Sequence, residues 1–565
     1  MKIFKNFRGR YAALIIGVVV ISTIVFGFKM SSDHNFQIAK NLDIFNSIVK
    51  ELDMFYVDSI NPDKLVNEGI DAMLYSLDPY TNYFPEENQD ELEQMFSGSY
   101  GGIGALISYN KKVEHVVIME LYEGMPALKC GLKVGDQLLK IDGTDLKGKD
   151  NEFVNKLLRG QEGTSFKALV KRAGSAQPIE LTIVRRTISL PTIPYYGEVG
   201  NHVGYISLSS FSGNPSKDFK EAFLDLKKKG ITSLIIDLRS NPGGREDEAV
   251  EIANFFLPRG KVVVTNKGRL ASVNTVFKTM SEPIDTEIPL VVLANSSTAS
   301  SAEILCGALQ DYDRAVVIGT RTFGKGLVQQ PRQLPYGGSI KITTAKYYIP
   351  SGRCIQAIDY KNRNADGSVG KIPEDKTKLF YTAAGRPVRD GGGILPDIVI
   401  NPKKMANLLY YLVTENQIFD YATDYCLKHP TIASASDFQI SDDDYAAFKA
   451  MVKRSNFKYD QQSEKIMKSL KEAAEFEGYY KNASAEFAAL EKKLTHNMEY
   501  DLNYFSKDIR EAINMEIVKR YYYQRGEVLQ QLKDDNNVDK AVKVLNDRAE
   551  YKKLLSKPQV VAKKK

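Results

Sequence analysis

The chain has 565 residues, of which 43% are hydrophobic and 26% are charged, an ordinary composition for a globular protein of about three or four domains. Its net charge of +6 is spread along the whole length without an arginine-rich block, so nucleic-acid binding is not expected. The four cysteines form no C-x-x-C pair, which argues against a zinc site and against a disulfide framework.

The N-terminus combines basic residues with an apolar run. Four Lys and Arg residues lie within residues 1–10, uncharged residues fill 11–28, and Lys29 follows directly. An 18-residue helix spans about 27 Å, just enough for a thin bilayer. A cleaved signal peptide usually has a shorter apolar core and an A-x-A-like site, which the following FGFKMSS fits poorly. The pattern favours an uncleaved anchor, with residues 1–10 in the cytoplasm and the remainder exported.

Residues 36–96 predict a helical N-terminal domain. Ile44, Ile48 and Leu52 recur at helical spacing, and a second apolar series follows Asn61-Pro62. The stretch LDPYTNYF (77–84) ends this periodicity.

Residues 97–188 change to the two-residue period of strands, as in VEHVVIM and FKALVKR. The segment opens on a glycine-rich stretch made of Tyr100, Gly101, Gly102, Ile103 and Gly104. Such a stretch can be a simple tight turn, or a loop whose free backbone N–H groups hold a carboxylate.

The wider pattern adds GLKVGDQLLKIDG (131–143) and a helix-like NEFVNKLLRG to that glycine stretch. Together these motifs resemble a PDZ domain. The resemblance implies a groove in which a peptide C-terminus adds as an extra strand, with its carboxylate at the loop 100–104.

Residues 189–401 alternate between apolar strand-like runs and amphipathic helices, which predicts an α/β domain with short connections. Residues 402–565 predict a helical C-terminal extension rich in Tyr, Phe, Lys and Glu. No chemistry is evident in this extension.

The most informative stretch is 295–330, where Ser300 precedes Lys325 by 25 residues and Gln329 follows. Ser300 and Glu303 fit a capping box, in which the serine begins a helix and the glutamate reaches back. This structural role leaves catalysis open, because a serine at a helix N-terminus also lies in positive potential.

Two catalytic or binding alternatives are weak on sequence grounds. Residues 319–325 match G-x-x-x-x-G-K, but Gly326 stands where a nucleotide loop needs Ser or Thr, and no helix is expected after it. No G-x-S-x-G elbow surrounds Ser300, although a triad using His202, in the same predicted domain, stays open.

A serine–lysine pair is the simplest remaining chemistry. A lysine has a pKa of about 10.4 in water and becomes a useful base only when burial disfavours its charge. Glycines and apolar residues surround Lys325, which is consistent with partial desolvation, and Gln329 is near enough in sequence to orient it. A neutral Lys325 would take the proton of Ser300 and return it to the leaving amine.

Acyl transfer also needs donors for the developing oxyanion. The strand SLIIDLRSNPGG (233–244) ends in a glycine turn. We expect the backbone N–H of Gly243 or Gly244 to act with that of Ser301, although the turn alone would also suit a purely structural role.

The motifs taken in order resemble the C-terminal processing peptidases over residues 40–400. They are LDPYTNYF, the PDZ-like block, DLRSNPGG, TASSAEILCGALQD, GTRTFGKGLVQ and GRPVRDGGGILPDI. This chain has T-A-S-S-A-E (298–303) where the family usually has S-A-S-A-S-E, and alignment on Glu303 places the nucleophile at Ser300.

The resemblance implies Ser300 as nucleophile, Lys325 as general base, Gln329 as its partner, and Gly243 and Ser301 as oxyanion donors. It further implies a ββα-spiral protease domain related to ClpP and crotonase, so the expected fold class is a multidomain α/β protein. No cofactor or metal is implied.

We therefore expect a serine endopeptidase anchored in a bacterial inner membrane, acting in the periplasm on unfolded or apolar C-termini of proteins. One alternative is a catalytically silent PDZ scaffold that only binds peptides, and another is a hydrolase of small esters. The C-terminal helices could mediate homo-oligomer formation or bind an adaptor.

Overall fold

The computed structural model describes residues 34–364, 367–494 and 497–557. The predicted anchor at 11–28 lies outside these residues. Within them, no helix combines the length and the apolar character needed to cross a membrane. The described residues divide into two compact units, one of 34–83 with Pro331–Ile342 and one of Phe84–Gln330 with the described part of 343–557.

The first unit contains helices α1 (34–55) and α2 (Pro62–Tyr75). Helix α2 begins where the Asn61-Pro62 signal predicts, because the Asn61 side chain accepts the N–H of Lys64 at 3.0 Å and proline suits the first helical position. The turn after α2 is held by Asp78, whose Oδ1 accepts the N–H groups of Tyr80 and Thr81 at 2.8 Å each.

The PDZ-like segment is an antiparallel sheet with one buried face. Its elements are β2 (Ser99–Gly102), β3 (Ala105–Asn110), β4 (His115–Leu121), α4 (Pro126–Lys129), β5 (Gln137–Ile141), β6 (Thr144–Asp145), α5 (Asn151–Leu158), β7 (Ser165–Lys171), β8 (Ile179–Val184) and β9 (Arg186–Ser189). The strand order of the sheet is β3-β4-β5-β7-β8, with β6 paired to β5, so β3 forms one edge. Short helices and the pair β2–β9 complete the segment. It is preceded by β1 (Asn82–Phe84), a 3₁₀ helix (Glu86–Asn88) and α3 (Gln89–Ser97).

The α/β segment that follows has the predicted alternation of strands and helices. Its elements are β10 (Tyr195–Glu198), β11 (Val203–Ser207), α6 (Pro215–Lys228), β12 (Ser233–Asp237), α7 (Glu246–Asn254), β13 (Val262–Gly268), 3₁₀ helix Ala271–Val273, β14 (Thr275–Lys278), β15 (Leu290–Ala294), α8 (Ser301–Asp311), β16 (Ala315–Gly319), β17 (Leu327–Gln333), β18 (Ser339–Tyr348), β19 (Ile358–Arg363), β20 (Val369–Lys371), 3₁₀ helix Glu374–Lys376, β21 (Leu379–Tyr381), β22 (Pro387–Arg389) and β23 (Ile398–Val399).

A six-stranded sheet with the order β10-β11-β12-β15-β16-β23 forms the centre of this segment. Strands β11, β12, β15, β16 and β23 are parallel, and β10 is antiparallel to β11. Strands β12, β15 and β16 are buried along their whole length, which explains their nearly continuous apolar sequences. Both faces of the sheet must therefore be covered.

Helices from two distant parts of the sequence cover those faces. Helices α6, α7 and α8 pack on one face. The other face is covered by helix α16 (Asn536–Asn546), through Val538, Ala541, Val544 and Leu545, and by Tyr551 of helix α17 (Arg548–Leu554). The end of the predicted C-terminal extension is thus part of the α/β core.

The rest of the C-terminal region is a helical domain with its own apolar core. It contains α9 (Asn407–Thr414), α10 (Gln417–Lys428), α11 (Asp442–Arg454), α12 (Gln462–Phe476), α13 (Tyr480–Leu494), α14 (Met498–Tyr504), α15 (Ser506–Gln531) and the 3₁₀ helix Leu532–Asp534. Helix α15 is interrupted at Tyr523, whose φ is 54°. Its Lys519 forms an ion pair with Glu120 of the PDZ-like sheet at 3.1 Å.

The packing of α16 gives a stability prediction. Leu545 is 2% exposed and lies against the sheet, so we expect Leu545→Ala to lower the free energy of unfolding by about 2–5 kcal/mol. Urea unfolding of the full chain would measure this change. Lys543→Ala, at an exposed position of the same helix, is the control. Equal midpoints for the two variants would show that α16 does not stabilise the sheet.

Candidate active site

Ser300 lies between a buried strand and a buried helix. The segment 295–300, called the serine turn below, connects β15 to α8. Ser300 itself has φ 56° and ψ −122°, a backbone conformation that costs a non-glycine residue about 1–3 kcal/mol. Its side chain is half-buried. Strained residues held by rigid neighbours are typical of functional sites, so the geometry is consistent with a nucleophile at this position.

Glu303 ties the serine turn to the segment that carries Lys325. The expected capping contact is present, since Glu303 Oε2 accepts the N–H of Ser300 at 3.0 Å. The same oxygen accepts the N–H of Lys325 at 2.9 Å, and Oε1 accepts the N–H of Gly324 at 2.8 Å and the hydroxyl of Thr322. One carboxylate therefore brings the backbones of Ser300 and Lys325 together.

The environment of Glu303 opposes its ionisation. The side chain is fully buried, and burial raises its pKa to about 7, although its four hydrogen-bond donors pull the pKa in the opposite direction. The carboxyl group is thus costly to bury, and it persists because each oxygen accepts two hydrogen bonds.

The lysine loop, residues 320–326, is packed tightly around Lys325. Gly324 has φ 85°, and a Cβ there would lie 2.3 Å from that of Ala357. Tyr347 of β18 is buried and donates its hydroxyl to the carbonyl oxygens of Lys325 and, at 3.2 Å, of Ser300. Lys325 is half-buried.

The lysine loop continues into strand β17 rather than into a helix. A nucleotide-binding loop needs a helix N-terminus at this point, so that alternative is excluded.

Gln329 lies on β17, where its amide Nε2 donates to Thr343 Oγ1 at 3.1 Å. Its predicted contact with the side chain of Lys325 stays a prediction.

His202 is placed wrongly for a catalytic triad. It precedes β11, whereas Ser300 follows β15, and the two strands run in the same direction within one sheet. The start of β11 and the end of β15 therefore lie at opposite ends of the parallel strands. The ring of His202 is 68% exposed and its neighbour is Glu198.

The glycine turn, residues 239–244, lies directly against the serine turn. A Cβ on Gly243 would be 2.7 Å from the Cβ of Ser300 and 2.9 Å from the amide nitrogen of Ser301, so only glycine fits. The N–H of Gly243 donates to Asn241 Oδ1 at 2.8 Å. The N–H of Gly243, one of the predicted oxyanion donors, is thus already bound to the side chain of Asn241.

Ser301 is the first residue of α8, a position whose N–H has no acceptor within the helix. Its hydroxyl donates to the carbonyl oxygen of Gly244 at 2.7 Å. This contact makes Gly244 and Ser301, two of the predicted oxyanion residues, neighbours in the structure.

The predicted carboxylate loop of the PDZ-like segment is shorter than expected. Most of the predicted loop is instead part of strand β2, which pairs with β9 and includes Tyr100, Gly101 and Gly102. The local sequence did not predict this pairing, because the two strands are almost ninety residues apart. Only Ile103 and Gly104 form the connection to β3. Gly104 has φ 72°, as a tight turn requires.

Sequence reasoning missed several residues of this site. Thr322, Tyr347 and Asn241 were not singled out, and Glu303 was recognised only as a helix cap. A sequence signal existed for Glu303, a carboxylate directly followed by the apolar run of α8. Among the described residues, no group of His, Cys, Asp and Glu side chains is arranged to hold a metal ion.

Removal of the Glu303 carboxylate should destabilise the site. Glu303→Ala leaves three backbone N–H groups without their acceptor, at about 1–3 kcal/mol each. We expect a clear drop in the thermal unfolding temperature, with Glu251→Ala at an exposed position of α7 as the control. An unchanged temperature would mean that these contacts contribute nothing to stability.

Three segments of the chain match known families. Residues 202–362 match Peptidase family S41, residues 117–172 match a PDZ domain, and residues 408–545 match the C-terminal helical domain of PDZ-proteases. These matches coincide with the α/β segment around Ser300, the antiparallel sheet and the C-terminal helices.

Proteins similar in sequence to this chain are named carboxy-terminal processing proteases. The carboxy-terminal processing protease CtpA of Bacillus subtilis is 34% identical over 383 residues, covering 67% of this chain and 78% of that protein. The carboxy-terminal-processing protease of Bartonella bacilliformis is 33% identical over 342 residues, covering 60% and 77%. Among solved structures, the photosystem II D1 C-terminal processing protease is 26% identical with a TM-score of 0.36, covering 64% and 93%. The chain therefore belongs to the carboxy-terminal processing peptidases of family S41, serine-type proteases that carry a PDZ domain.

Proposed function

We propose that this protein is a membrane-anchored endopeptidase that captures substrate C-termini in its PDZ domain and cleaves them with Ser300 and Lys325. The observation that carries the proposal is the bridge through Glu303, whose Oε2 accepts the backbone N–H groups of both residues. A serine and a lysine fixed by one buried carboxylate form a unit that can act as nucleophile and base.

In the proposed acylation step, the neutral amine of Lys325 removes the proton from Ser300 Oγ. The oxygen then attacks the carbonyl carbon of the scissile bond. This step requires the neutral form of the Lys325 amine. The tetrahedral intermediate collapses when the C–N bond breaks, and the Lys325 ammonium returns the proton to the leaving amine.

Backbone donors stabilise the negative charge on the intermediate in this scheme. The N–H groups of Ser301 and Gly244 are the proposed pair, and the N–H of Gly243 could join them if Asn241 released it. Deacylation follows the same route in reverse, with Lys325 activating a water molecule that hydrolyses the ester to Ser300. Gln329 is proposed to orient Lys325 during both steps.

Substrate capture is proposed to occur at the edge of the PDZ sheet. Strand β3 lies at this edge, and the connection at Ile103 and Gly104 precedes it directly. An extended peptide can add to an edge strand through backbone hydrogen bonds, with its terminal carboxylate at the adjoining turn. Half-exposed Leu106 of β3 offers an apolar contact for the peptide side chains.

We also propose that residues 11–28 anchor the protein in a bacterial inner membrane, with the protease in the periplasm. The support is the sequence pattern alone, namely basic residues before an apolar run of 18 residues. We further propose that the C-terminal helices mediate assembly into an oligomer or recruit an adaptor.

A catalytically silent peptide-binding scaffold is the alternative from another functional class. It would bind apolar C-termini without cleaving them, and substitution of Ser300 would change nothing. The strained backbone at Ser300 speaks against it, because that conformation has an energetic cost without a benefit for peptide binding.

The proposed catalytic pair predicts the behaviour of two variants. Incubation of the full-length chain with an unfolded protein that ends in apolar residues should yield Ser300-dependent fragments by mass spectrometry. Ser300→Ala should abolish cleavage, and Lys325→Arg should reduce it by about 10²–10⁴-fold, because a guanidinium cannot accept the proton. Lys346→Arg, at an exposed site of β18, should cleave normally. Wild-type rates for Lys325→Arg would refute the pair.

The proposed role of the PDZ domain predicts a dependence on the substrate tail. A peptide with an apolar free C-terminus should be cleaved with a lower KM than its amidated twin, because amidation removes the carboxylate. Steady-state kinetics on the two peptides would measure the difference. Equal KM values would favour the hydrolase of small esters, which has no reason to read the tail.

A further inference from the structure

The C-terminal helix α16 reaches the glycine turn through an ion pair. Asp535, which precedes α16, places Oδ2 2.6 Å from Nη1 of Arg239, the first residue of that turn. The two side chains are 7% and 21% exposed, so solvent screens the pair only weakly. About 300 residues of sequence separate the two charges.

The two carboxylate oxygens of Asp535 have different roles. Oδ1 accepts the N–H groups of Asn537 at 2.9 Å and Val538 at 3.3 Å, and thus caps α16. Oδ2 binds Arg239. Asp535, the N-cap residue of α16, thereby connects this helix to the glycine turn.

Arg239 is held on its other side by Asp237 at the end of β12. Its Nε lies 3.0 Å from both carboxylate oxygens of Asp237, and one of these oxygens also accepts the hydroxyl of Tyr205 at 2.7 Å. The guanidinium is therefore clamped between a sheet residue and a helix residue. A planar group with donors in a fixed fork suits such a clamp, and a lysine would not.

The two residues after Arg239 form hydrogen bonds between the glycine turn and the serine turn. The N–H of Ser240 donates to Asn295 Oδ1 at 2.9 Å, and the N–H of Ala299 donates to the carbonyl oxygen of Asn241 at 2.9 Å. A shift of Arg239 would thus move the glycine turn relative to the serine turn.

We infer that Asp535 is a positioning residue for catalysis, which acts through Arg239 to keep the glycine turn aligned with Ser300. The inference rests on the proposed function, because alignment of these turns matters only if they form the oxyanion site. It assigns the C-terminal helical region a part in turnover, in addition to its part in packing.

The test is Asp535→Asn in the full-length chain, assayed on a fluorogenic peptide with an apolar free C-terminus. Asparagine retains an oxygen for the cap but removes the charge that binds Arg239, so the unfolding temperature should fall yet stay above the assay temperature, as a parallel melt would verify. We expect kcat to fall about 10-fold or more at nearly constant KM, since small misalignments of catalytic groups are costly. Asp539→Asn, an exposed acid in the first turn of α16, is the matched control and should retain wild-type kcat.

A double-mutant cycle with Arg239→Gln separates positioning from general destabilisation. If Asp535 acts through Arg239, Asp535→Asn should lower kcat no further in the Arg239→Gln background. Independent losses would overturn the inference, as would an unchanged kcat for Asp535→Asn in an enzyme whose cleavage depends on Ser300. Failure of the proposed function is a different result, namely wild-type protein that does not cleave or Ser300→Ala protein that still does.

Discussion

The buried carboxylate of Glu303 is the interaction on which the arrangement of the site depends. Two segments enter the site from neighbouring strands, the serine turn after β15 and the lysine loop after β16. Glu303 is the group that binds them most extensively, because it accepts four hydrogen bonds from them. The low polarity around it strengthens each of these bonds and makes a half-satisfied arrangement unfavourable. Precise positioning is thus obtained from a group that is expensive to bury.

The sheet behind the site explains why the turns can be held so closely. Strands β12, β15 and β16 are buried on both faces. Parallel pairing between them fixes the register of their C-terminal ends. The glycine turn and the serine turn emerge from neighbouring strands of this sheet. A rigid platform with short connections at its edge is a general way to place functional groups from separate segments.

Local sequence was sufficient for some of these features and insufficient for others. The apolar runs of β12, β15 and β16 identified buried strands, and the spacing of Ser300 and Lys325 pointed to the site. By contrast, Tyr347 and the second contact of Glu303 depend on how distant segments meet, which no local pattern encodes. The same reason accounts for the glycine stretch at 100–104, since the pairing of β2 with β9 turned most of a predicted loop into a strand. The ion pair of Arg239 with Asp535 is the extreme case.

The helices that cover the second face of the sheet have a consequence for biosynthesis. Strand β23 ends at Val399 and α16 begins at Asn536, so the whole helical domain is translated between the last strand and its cover. At about 5–20 residues per second, an apolar sheet face waits on the order of ten seconds or more for its partner. During that time the uncovered apolar face is exposed to water or to chaperones that bind apolar surfaces. The ion pair between Asp535 and Arg239 of the glycine turn is also absent. If Asp535 positions the glycine turn as inferred above, that turn reaches its final place only after α16 has been synthesised.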